Sequence, residues 1–289
     1  RLIAEAGPRR RREPENRVLP SGDATGPAAG RPAPGDAAMT AALATAPAAT
    51  PEAPVLLRSD ADGVATLTLN RPQARNALSV RVVILQGAGP AFCAGHDLKE
   101  MRADPSREAT EAVFRTCARL MLSLTRLPQP VIARVHGIAT AAGCQLVATC
   151  DLAVCAETAR FATPGVQIGL FCSTPMVALS RAVSRKAALE MLLVGDPIDA
   201  AEALRIGLVN RAVPEADLDA AVSALAARIA GKARRVLAIG KEAFGRQIEM
   251  SLEDAYGYTA EVMTRNMMMA DAQEGIDAFL GKRPPRWEP

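Results

Sequence analysis

Two glycine-containing turns, each preceded by a short apolar strand, constrain the fold of this chain more than any other feature. The first turn covers residues 91–98, and the second covers residues 136–144 and opens a helix. Small residues allow the backbone to approach a neighbour or a ligand closely, and free N–H groups at a helix N-terminus attract negative charge. Two such turns that face each other could therefore hold a developing oxyanion, although each turn taken singly is also explained by close packing.

Short strands come first along the chain, and helices follow. Residues 64–69 alternate with period two, and further apolar strands are predicted at 82–85, 131–135 and 152–154. Helical spacing of apolar residues predicts helices over 107–127, about 141–150, 178–194, 199–206, 215–231, 234–248 and 251–280. This order predicts an α/β fold with a repeated strand–helix core and a helical C-terminal part.

Three regions are predicted along the chain. Residues 1–53 are dominated by Ala, Pro, Gly and Arg without an apolar period, which is typical of disorder, whereas residues 54–197 form the core and residues 198–289 form a helical C-terminal region. Because the chain starts at Arg1, Met39 is a candidate for the true start, and the residues before it are then upstream sequence or part of a targeting segment. An Arg-rich and Ala-rich leader is typical of mitochondrial transit peptides, whereas the acidic residues in it are not.

Charge, aromatic content and cysteine spacing argue against several classes of function. The formal net charge of +3 and the aromatic content of 3% argue against a nucleic-acid-binding surface, which needs a clustered basic face and stacking side chains. No apolar run is long enough to span a bilayer. The 6 cysteines contain no Cys-x-x-Cys pair and the chain has 2 histidines, so no metal site is predicted. The cysteines are expected to be small buried side chains in a reducing compartment.

The motifs of the chain keep the order that they have in a known family. They are Leu69–Pro72 with Arg75–Leu78, Gly87–Leu98, Pro130–Asp151, Phe161–Pro164 with Gly169 and Leu170, Ala201–Leu204 with Gly207–Val209, and Phe279–Trp287. By these motifs the chain resembles the enoyl-CoA hydratase/isomerase (crotonase) family over about residues 60–288. Its Gly-Cys-Gln and Phe-Ala-Thr-Pro-Gly signatures are similar to those of a mitochondrial subgroup of that family.

The resemblance implies a fold, a ligand and an assembly. The fold would be a spiral of ββα units, with the coenzyme A site in residues 54–197 and a helical C-terminal region that mediates homotrimers or hexamers. The bound molecule would be an acyl-CoA thioester of fatty-acid metabolism, with coenzyme A as part of the substrate and no further cofactor. The expected location is the mitochondrial matrix in a eukaryote and the cytoplasm in a bacterium.

The resemblance also implies which residues form the site. The main-chain N–H groups of His96 and Ala142 would hold the thioester oxygen. The main chain at Ala94, His96, Asp97 and Leu98 would lie along the pantetheine and adenine of coenzyme A. Side-chain identity matters little for these roles, because the backbone performs them.

The two glutamates of a family hydratase fall on Gln145 and Gly165 in this chain. Hydration needs a base to activate water and an acid to protonate the α-carbon, and such groups contribute roughly 10²–10⁴-fold in rate. A neutral amide can hydrogen-bond a water but cannot take its proton, and glycine has no side chain. Ordinary hydratase activity is therefore not expected, although both positions belong to the predicted catalytic site.

Other polar side chains near the two turns are candidates for substitute roles. His96 and His136 flank the turns, and a structural or exposed imidazole competes there with a role in proton transfer. Cys144 and Cys172 lie near the expected pocket, but no neighbouring charge predicts an activated thiol. Thr163 and Gln167 are candidate hydrogen-bond partners for an acyl group. Asp151 is expected to be a packing carboxylate, and Glu157 is expected to be a solvated one.

One connection between strands is shorter than the family pattern. In the family, Asn-Ala-Leu-Ser opens an amphipathic helix that crosses to the next strand, whereas here Ser79 runs directly into Val80. About nine residues separate Asn70 from Val80, and a parallel crossover needs a dozen or more. Either the strand pairing is altered or the first crossover helix is missing. A missing helix would expose apolar side chains worth around 1.5–3 kcal/mol each on burial, so we expect a lower stability than that of relatives.

Three functions stay open at this point. The first is an enzyme, nominally a lyase or isomerase, that stabilises an acyl-CoA enolate for isomerisation, decarboxylation, thioester hydrolysis or residual hydration. The second is a non-catalytic acyl-CoA-binding or regulatory subunit, and the third is a scaffold that uses the trimer surface. The two glycine-containing turns favour the first two functions, and the missing glutamates favour the second function over hydration.

Overall fold

The computed structural model describes residues 56–61, 64–69 and 80–288. The strands in chain order are β1 (Leu56–Ala61), β2 (Val64–Leu69), β3 (Val83–Gln86), β4 (Ala91–Cys93), β5 (Val131–Val135), β6 (Ile138–Thr140), β7 (Leu152–Ala156), β8 (Arg160–Ala162), β9 (Ile198–Asp199) and β10 (Arg211–Val213). The α-helices are α1 (Leu98–Ala103), α2 (Arg107–Arg126), α3 (Ala142–Thr149), α4 (Ser173–Ala182), α5 (Arg185–Val194), α6 (Ala200–Ile206), α7 (Leu218–Ala230), α8 (Arg234–Gln247), α9 (Leu252–Met267) and α10 (Ala270–Leu280). Turns of 3-10 helix lie at Pro164–Ile168 and Glu215–Asp217.

The strands β1 and β2 form an antiparallel hairpin, in which Leu56 pairs with Leu69 and Ala61 pairs with Val64. This hairpin belongs to one compact unit, and the described residues from Val80 onward belong to another. The strand predicted at 64–69 is present with those bounds.

The larger unit repeats a strand–strand–helix arrangement. β3 and β4 precede α1 and α2, β5 and β6 precede α3, and β7 and β8 precede α4. The first strand of each pair lies in a parallel sheet of order β10-β7-β5-β3. The second strand of each pair lies in a sheet of order β4-β6-β8-β9, where β9 runs antiparallel to β8. The predicted α/β class and the spiral of ββα units are confirmed.

The central strands β5 and β7 are buried on both faces. Successive side chains of a strand point to opposite faces, so Ala133 packs with Phe161 of β8 on one side. Ile132 and Val154 pack on the other side against Leu218 of α7. Burial on both faces explains why the sequence of these strands is an unbroken apolar run rather than an alternating one.

Two helices that were predicted to be continuous are each divided into two helices in the structure. These two predictions of a continuous helix were wrong. The helix predicted at 178–194 is α4 followed by α5, because Ser184 adopts an extended conformation and its hydroxyl accepts a hydrogen bond from the Ala187 N–H at 3.4 Å. The helix predicted at 251–280 is α9 followed by α10, because Met269 is extended, with φ −80° and ψ 147°. The helices predicted at 107–127 and 234–248 agree with α2 and α8 within one residue.

The C-terminal part is mainly helical and also supplies one strand to each of the two four-stranded sheets. β9 pairs with β8, and β10 pairs with β7. The boundary predicted at residue 198 and the trimer contacts stay predictions. The predicted loss of a crossover helix falls on residues 70–79, which lie outside the described residues. Among the helices between residues 80 and 288, none combines the length and the apolar character that a membrane crossing requires.

Candidate functional site

The first turn follows β4 and leads into α1. Gly95 has φ +94°, a conformation that suits glycine. Asp97 caps α1, since its Oδ1 accepts a hydrogen bond from the Lys99 N–H at 2.7 Å. Ala94 and Leu98 on either side are exposed. The main chain of this turn is therefore accessible, while the Asp97 carboxylate is engaged in holding the helix.

The second turn follows β6 and opens α3. Ala141 adopts φ +50°, and its side chain offers no acceptor to the first N–H groups of the helix. An added Cβ at Gly143 would collide with the carbonyl of Cys93 in β4. Glycine is therefore required at residue 143, because the first turn of α3 lies directly on the end of β4.

The two turns meet at their backbones. An ideal Cβ built on Gly95 would lie 3.3 Å from the Ala142 nitrogen, and the Thr140 hydroxyl donates to the Ala94 carbonyl at 3.1 Å. Within the described ranges, neither the His96 N–H nor the Ala142 N–H has a hydrogen-bond acceptor. Two main-chain donors on adjacent turns are thus left without a protein partner.

Gln145 lies in α3, one turn beyond Ala142, and is buried. Its Oε1 accepts a hydrogen bond from the thiol of Cys117 in α2, with a sulfur–oxygen distance of 3.8 Å. Burial, followed by the nearby Cys93, raises the pKa of the Cys117 thiol. Both side chains are therefore neutral at pH 7, and a hydrogen bond from α2 holds the amide oxygen of Gln145.

Gly165 lies in the 3-10 turn after β8 and is buried. An added Cβ there would lie 2.7 Å from the Leu170 carbonyl oxygen and 2.9 Å from the Cys172 sulfur. The Leu170 N–H donates to the Gly165 carbonyl at 2.9 Å, which holds that loop close. Residue 165 therefore has no room for a side chain in this conformation.

The two histidines differ in how they are held. In His136 the Nε2 atom lies 2.7 Å from the Gly89 carbonyl oxygen, and the buried Nδ1 has no partner. In His96 the buried Nε2 has no partner, and the ring contacts Phe114 of α2 edge-on, with centroids 5.6 Å apart at 87°. No hydrogen bond engages the His96 ring anywhere in residues 80–288. A buried polar atom left unpaired costs about 1–3 kcal/mol.

Three of the cysteines, Cys144, Cys150 and Cys155, are protonated at neutral pH. Burial, followed by the neighbouring Cys172, raises the pKa of Cys144 to about 12. Burial followed by Asp151 raises the pKa of Cys150 to about 12, and burial raises that of Cys155 to about 11. The described cysteines form no disulfide. An activated thiol is not found among the three.

The other polar candidates have structural partners or face solvent. The Thr163 hydroxyl is buried and donates to the Met191 carbonyl at 2.8 Å, and the Gln167 amide binds the Asp196 carboxylate at 3.1 Å. Asp151 accepts hydrogen bonds from the Val131 N–H and the Lys241 ammonium, so it is the packing carboxylate that the sequence predicts. Glu157 is exposed, as predicted. Both side chains of Thr163 and Gln167 thus have a protein partner, and a contribution of either to acyl binding stays a prediction.

No metal-binding group of His, Cys, Asp and Glu is present in the described part of the chain. A cavity of about 300 Å³ lies between α8 and α9, and none of the predicted site residues lines it. Its walls are formed by Glu242, Arg246, Tyr258, Glu261, Val262 and Arg265. The two facing turns therefore stay the best candidate for a ligand site.

Comparison with known proteins defines the class to which this fold and these turns belong. The family model described as "Enoyl-CoA hydratase/isomerase" matches residues 59–289, and the chain belongs to this family. A curated relative, "Enoyl-CoA hydratase domain-containing protein 3, mitochondrial" of Xenopus laevis, is 47% identical and covers 81% of this chain and 86% of its own length. The human protein of the same name is 46% identical, and the match covers 78% of this chain and 81% of the human protein. The subgroup predicted from the two signatures is thus confirmed.

Solved structures agree with the family. The crystal structure of an enoyl-CoA hydratase from Mycobacterium smegmatis is 54% identical, with a TM-score of 0.72 over 81% of this chain and 99% of that one. The crystal structure of human enoyl Coenzyme A hydratase domain-containing protein 3 is 44% identical, with a TM-score of 0.71. The match covers 81% of this chain and 100% of the human chain. These likenesses confirm the crotonase fold.

The matched segment of the relative is longer than that of this chain. The match to the Xenopus laevis protein runs over 253 residues, whereas 81% of 289 residues is about 234, so about 19 positions have no counterpart here. A segment of that size is about as long as one crossover helix with its connections. This difference in length supports the predicted loss of a helix, but it does not show where in the chain the loss occurred.

Phe114 and Cys117 are the site neighbours that the sequence did not predict. Both lie on the same side of α2, three residues apart, where they contact His96 and Gln145. Helical spacing predicted that Cys117 faces a neighbour. Which neighbour it faces depends on the packing of α2 on α3, for which the sequence has no local signal.

Proposed function

We propose that this protein binds an acyl-CoA thioester and holds its carbonyl oxygen between the main-chain N–H groups of His96 and Ala142. The observation that carries the proposal is the contact between the two turns, where two neighbouring backbone donors have no acceptor among the described residues. Donors of this kind stabilise an oxyanion more than a neutral carbonyl, because they are fixed before the charge develops.

The coenzyme A portion would lie along the main chain at Ala94, His96, Asp97 and Leu98. Exposure of Ala94 and Leu98 supports this path, as does the family to which the chain belongs. Coenzyme A is then part of the substrate, and no separate cofactor is proposed. A mitochondrial location is proposed from the printed names of the relatives. A role in fatty-acid metabolism and a homotrimeric or hexameric assembly are proposed from the family to which the chain belongs.

The chemistry proposed at this site is enolate stabilisation without ordinary hydration. Gln145 is neutral and its amide oxygen is held by Cys117, and Gly165 has no room for a side chain. Neither residue can activate water or protonate carbon. Isomerisation, decarboxylation and thioester hydrolysis all use the two donors, and the proton transfers of isomerisation and hydrolysis then need a group other than Gln145 and Gly165.

A second candidate function is a non-catalytic acyl-CoA-binding or regulatory subunit on the same fold. The observation that favours it is the lack of room at Gly165, which excludes an acid at one of the two positions in this conformation. Both functions share acyl-CoA binding and differ in turnover.

Calorimetric titration with matched ligands tests the two donors. Butyryl-CoA has the thioester carbonyl, whereas the thioether S-butyl-CoA has the same chain without that oxygen. We expect butyryl-CoA to bind about 10-fold more tightly, since two hydrogen bonds contribute about 0.5–1.5 kcal/mol each. Equal affinity of the two ligands would overturn the role of the donors, and no binding of either would overturn the proposed function.

A matched pair of proline variants tests the Ala142 donor separately. Ala142 is the first residue of α3, where proline removes the N–H without loss of a helical hydrogen bond. Circular dichroism checks that the variant keeps its fold, because a following proline restricts Ala141, which has φ 50° and ψ −117°. Arg185 holds the same position in α5, away from the two turns. Ala142→Pro should reduce the preference for the thioester over the thioether to about threefold, since the His96 N–H remains, and Arg185→Pro should preserve the full preference.

A further inference from the structure

The imidazole of His96 is a feature that the proposed main-chain roles leave without a function. Its Nε2 is buried and unpaired within residues 80–288, while the ring is held edge-on against Phe114. Native proteins pair nearly all buried polar atoms, and exceptions mark strain, a bound ligand or a catalytic role. The unpaired nitrogen therefore points to a partner that residues 80–288 do not supply.

The position of His96 connects its ring to the open donors. Gly95, the preceding residue, lies against Ala142 at the start of α3. The ring packs on α2, and three residues further along that helix Cys117 contacts Gln145. His96 thus contributes both a free main-chain N–H and a free ring nitrogen at the place where the two turns and α2 meet.

The other side chains around this place are less suited to proton transfer. Gln145 is an amide and Gly165 has no side chain. Burial raises the pKa of the Cys117 thiol, and the Asp97 carboxylate caps α1. Histidine is the residue type whose side chain ordinarily exchanges protons near pH 7.

We propose that the His96 side chain transfers a proton at the carbon next to the thioester carbonyl. The neutral Nε2 takes a proton from that carbon. The electron pair of the C–H bond becomes the C=C bond of an enolate, and the negative charge moves to the oxygen held by the His96 and Ala142 N–H groups. Return of a proton from the imidazolium to carbon restores the thioester and the neutral ring. This inference rests on the proposed acyl-CoA site.

Exchange of deuterium into butyryl-CoA measures this step directly. The saturated acyl chain cannot be hydrated, so uptake of deuterium from D₂O at the α-carbon, followed by mass spectrometry, reports proton transfer alone. His96→Gln keeps the main-chain N–H and removes the proton-transferring ring. We expect exchange to fall about 100-fold or more, while the affinity for butyryl-CoA in the titration changes less than about threefold.

Two comparisons separate proton transfer from a structural role. His136→Gln is the matched control, because glutamine can still donate to the Gly89 carbonyl, and it should exchange like the parent protein. His96→Ala should recover exchange when free imidazole is added, which a purely structural histidine would not allow.

The outcomes distinguish this inference from the proposed function. Binding of butyryl-CoA with exchange that survives His96→Gln would overturn the role of His96 and leave the acyl-CoA site intact. Binding without exchange in the parent protein would also overturn it. Failure of butyryl-CoA to bind would overturn the acyl-CoA site itself.

Discussion

Glycines at single positions decide what the candidate site can contain. Gly143 and Gly165 both lie where a Cβ would meet backbone atoms, of Cys93 in one case and of Leu170 in the other. Its position in the motif identifies Gly165 as the replacement of an acid. The sequence does not show that the space for a side chain at residue 165 is already filled. That fact depends on the Leu170 loop and on the Cys172 sulfur, which are brought back against Gly165 by the 3-10 turn.

Filling this space should destabilise the protein. We expect Gly165→Ala to lower the free energy of unfolding by about 1–3 kcal/mol, because overpacking forces backbone shifts. Denaturant unfolding followed by circular dichroism measures the change. Gly240→Ala is the control, since Gly240 lies inside α8 with no atom within 4 Å of an added Cβ. It should stabilise the protein by about 0.5–1 kcal/mol, and equal effects of the two changes would contradict the packing at Gly165.

Elements outside the site are joined by a partly buried ion pair. The Lys241 ammonium of α8 donates to the Asp151 carboxylate at 2.6 Å and to the carbonyls of Leu124 and Gln129. Asp151 also accepts from the N–H of Val131 at the start of β5. The pair thus connects α8 to the C-terminal end of α2, the start of β5 and the residue before β7.

Removal of the ammonium should therefore cost more than removal of a surface charge. A fully buried pair loses about 3–5 kcal/mol when one partner is removed. Because Lys241 is 11% exposed and Asp151 is 29% exposed, we expect Lys241→Met to cost about 2 kcal/mol. The exposed pair of Arg181 and Glu249 provides the control, and Arg181→Met should cost less than about 1 kcal/mol. Chemical denaturation of both variants measures these two losses of unfolding free energy.

The Glu274 carboxylate makes three of the hydrogen bonds that hold the segment after α10. Glu274 accepts two hydrogen bonds from the Arg283 guanidinium, at 2.6 and 2.8 Å, and one from the Arg286 N–H at 2.7 Å. The Arg283 guanidinium, followed by that N–H, lowers the pKa of Glu274 from 4.5 to about 2. A carboxyl with a lowered pKa stabilises the fold fully above its unfolded pKa, and this stabilisation is lost as the pH falls towards the folded value.

The pH dependence of stability should change in one acidic window. Between pH 4.5 and about 2, the parent protein loses the contribution of Glu274, whereas Glu274→Gln has no such contribution to lose. Thermal unfolding midpoints across this range should therefore fall less steeply for the variant, which should also be the less stable protein at pH 7. Parallel curves would show that the carboxylate does not hold the segment.

The sequence predicts elements well where the pattern is local. The bounds of β5 and α2 were predicted within one residue, because apolar runs and helical spacing define them. The strands β4, β6 and β8 are three residues each and were not predicted, since such short strands exist through pairing with distant segments. The break before α5 follows from the cap at Ser184, which resembles any other serine in a helical pattern.

At the scale of the whole molecule, one connection is predicted to be shorter in this chain than in its family. About 19 positions of the Xenopus laevis match have no counterpart here, and the predicted site of the loss lies in residues 70–79. A lost crossover helix would expose apolar side chains worth around 1.5–3 kcal/mol each. We expect a lower thermal unfolding midpoint than that of the Xenopus laevis protein measured in parallel. A midpoint at or above that of the relative would contradict the loss.

We propose that the chain keeps the acyl-CoA site of its family while it lacks the groups for hydration. Incubation with crotonyl-CoA, with product analysis by mass spectrometry and a parallel binding titration, tests both halves of this proposal in one sample. We predict saturable binding of crotonyl-CoA and no formation of the 3-hydroxy product. Formation of that product, or the absence of binding, would contradict the proposal.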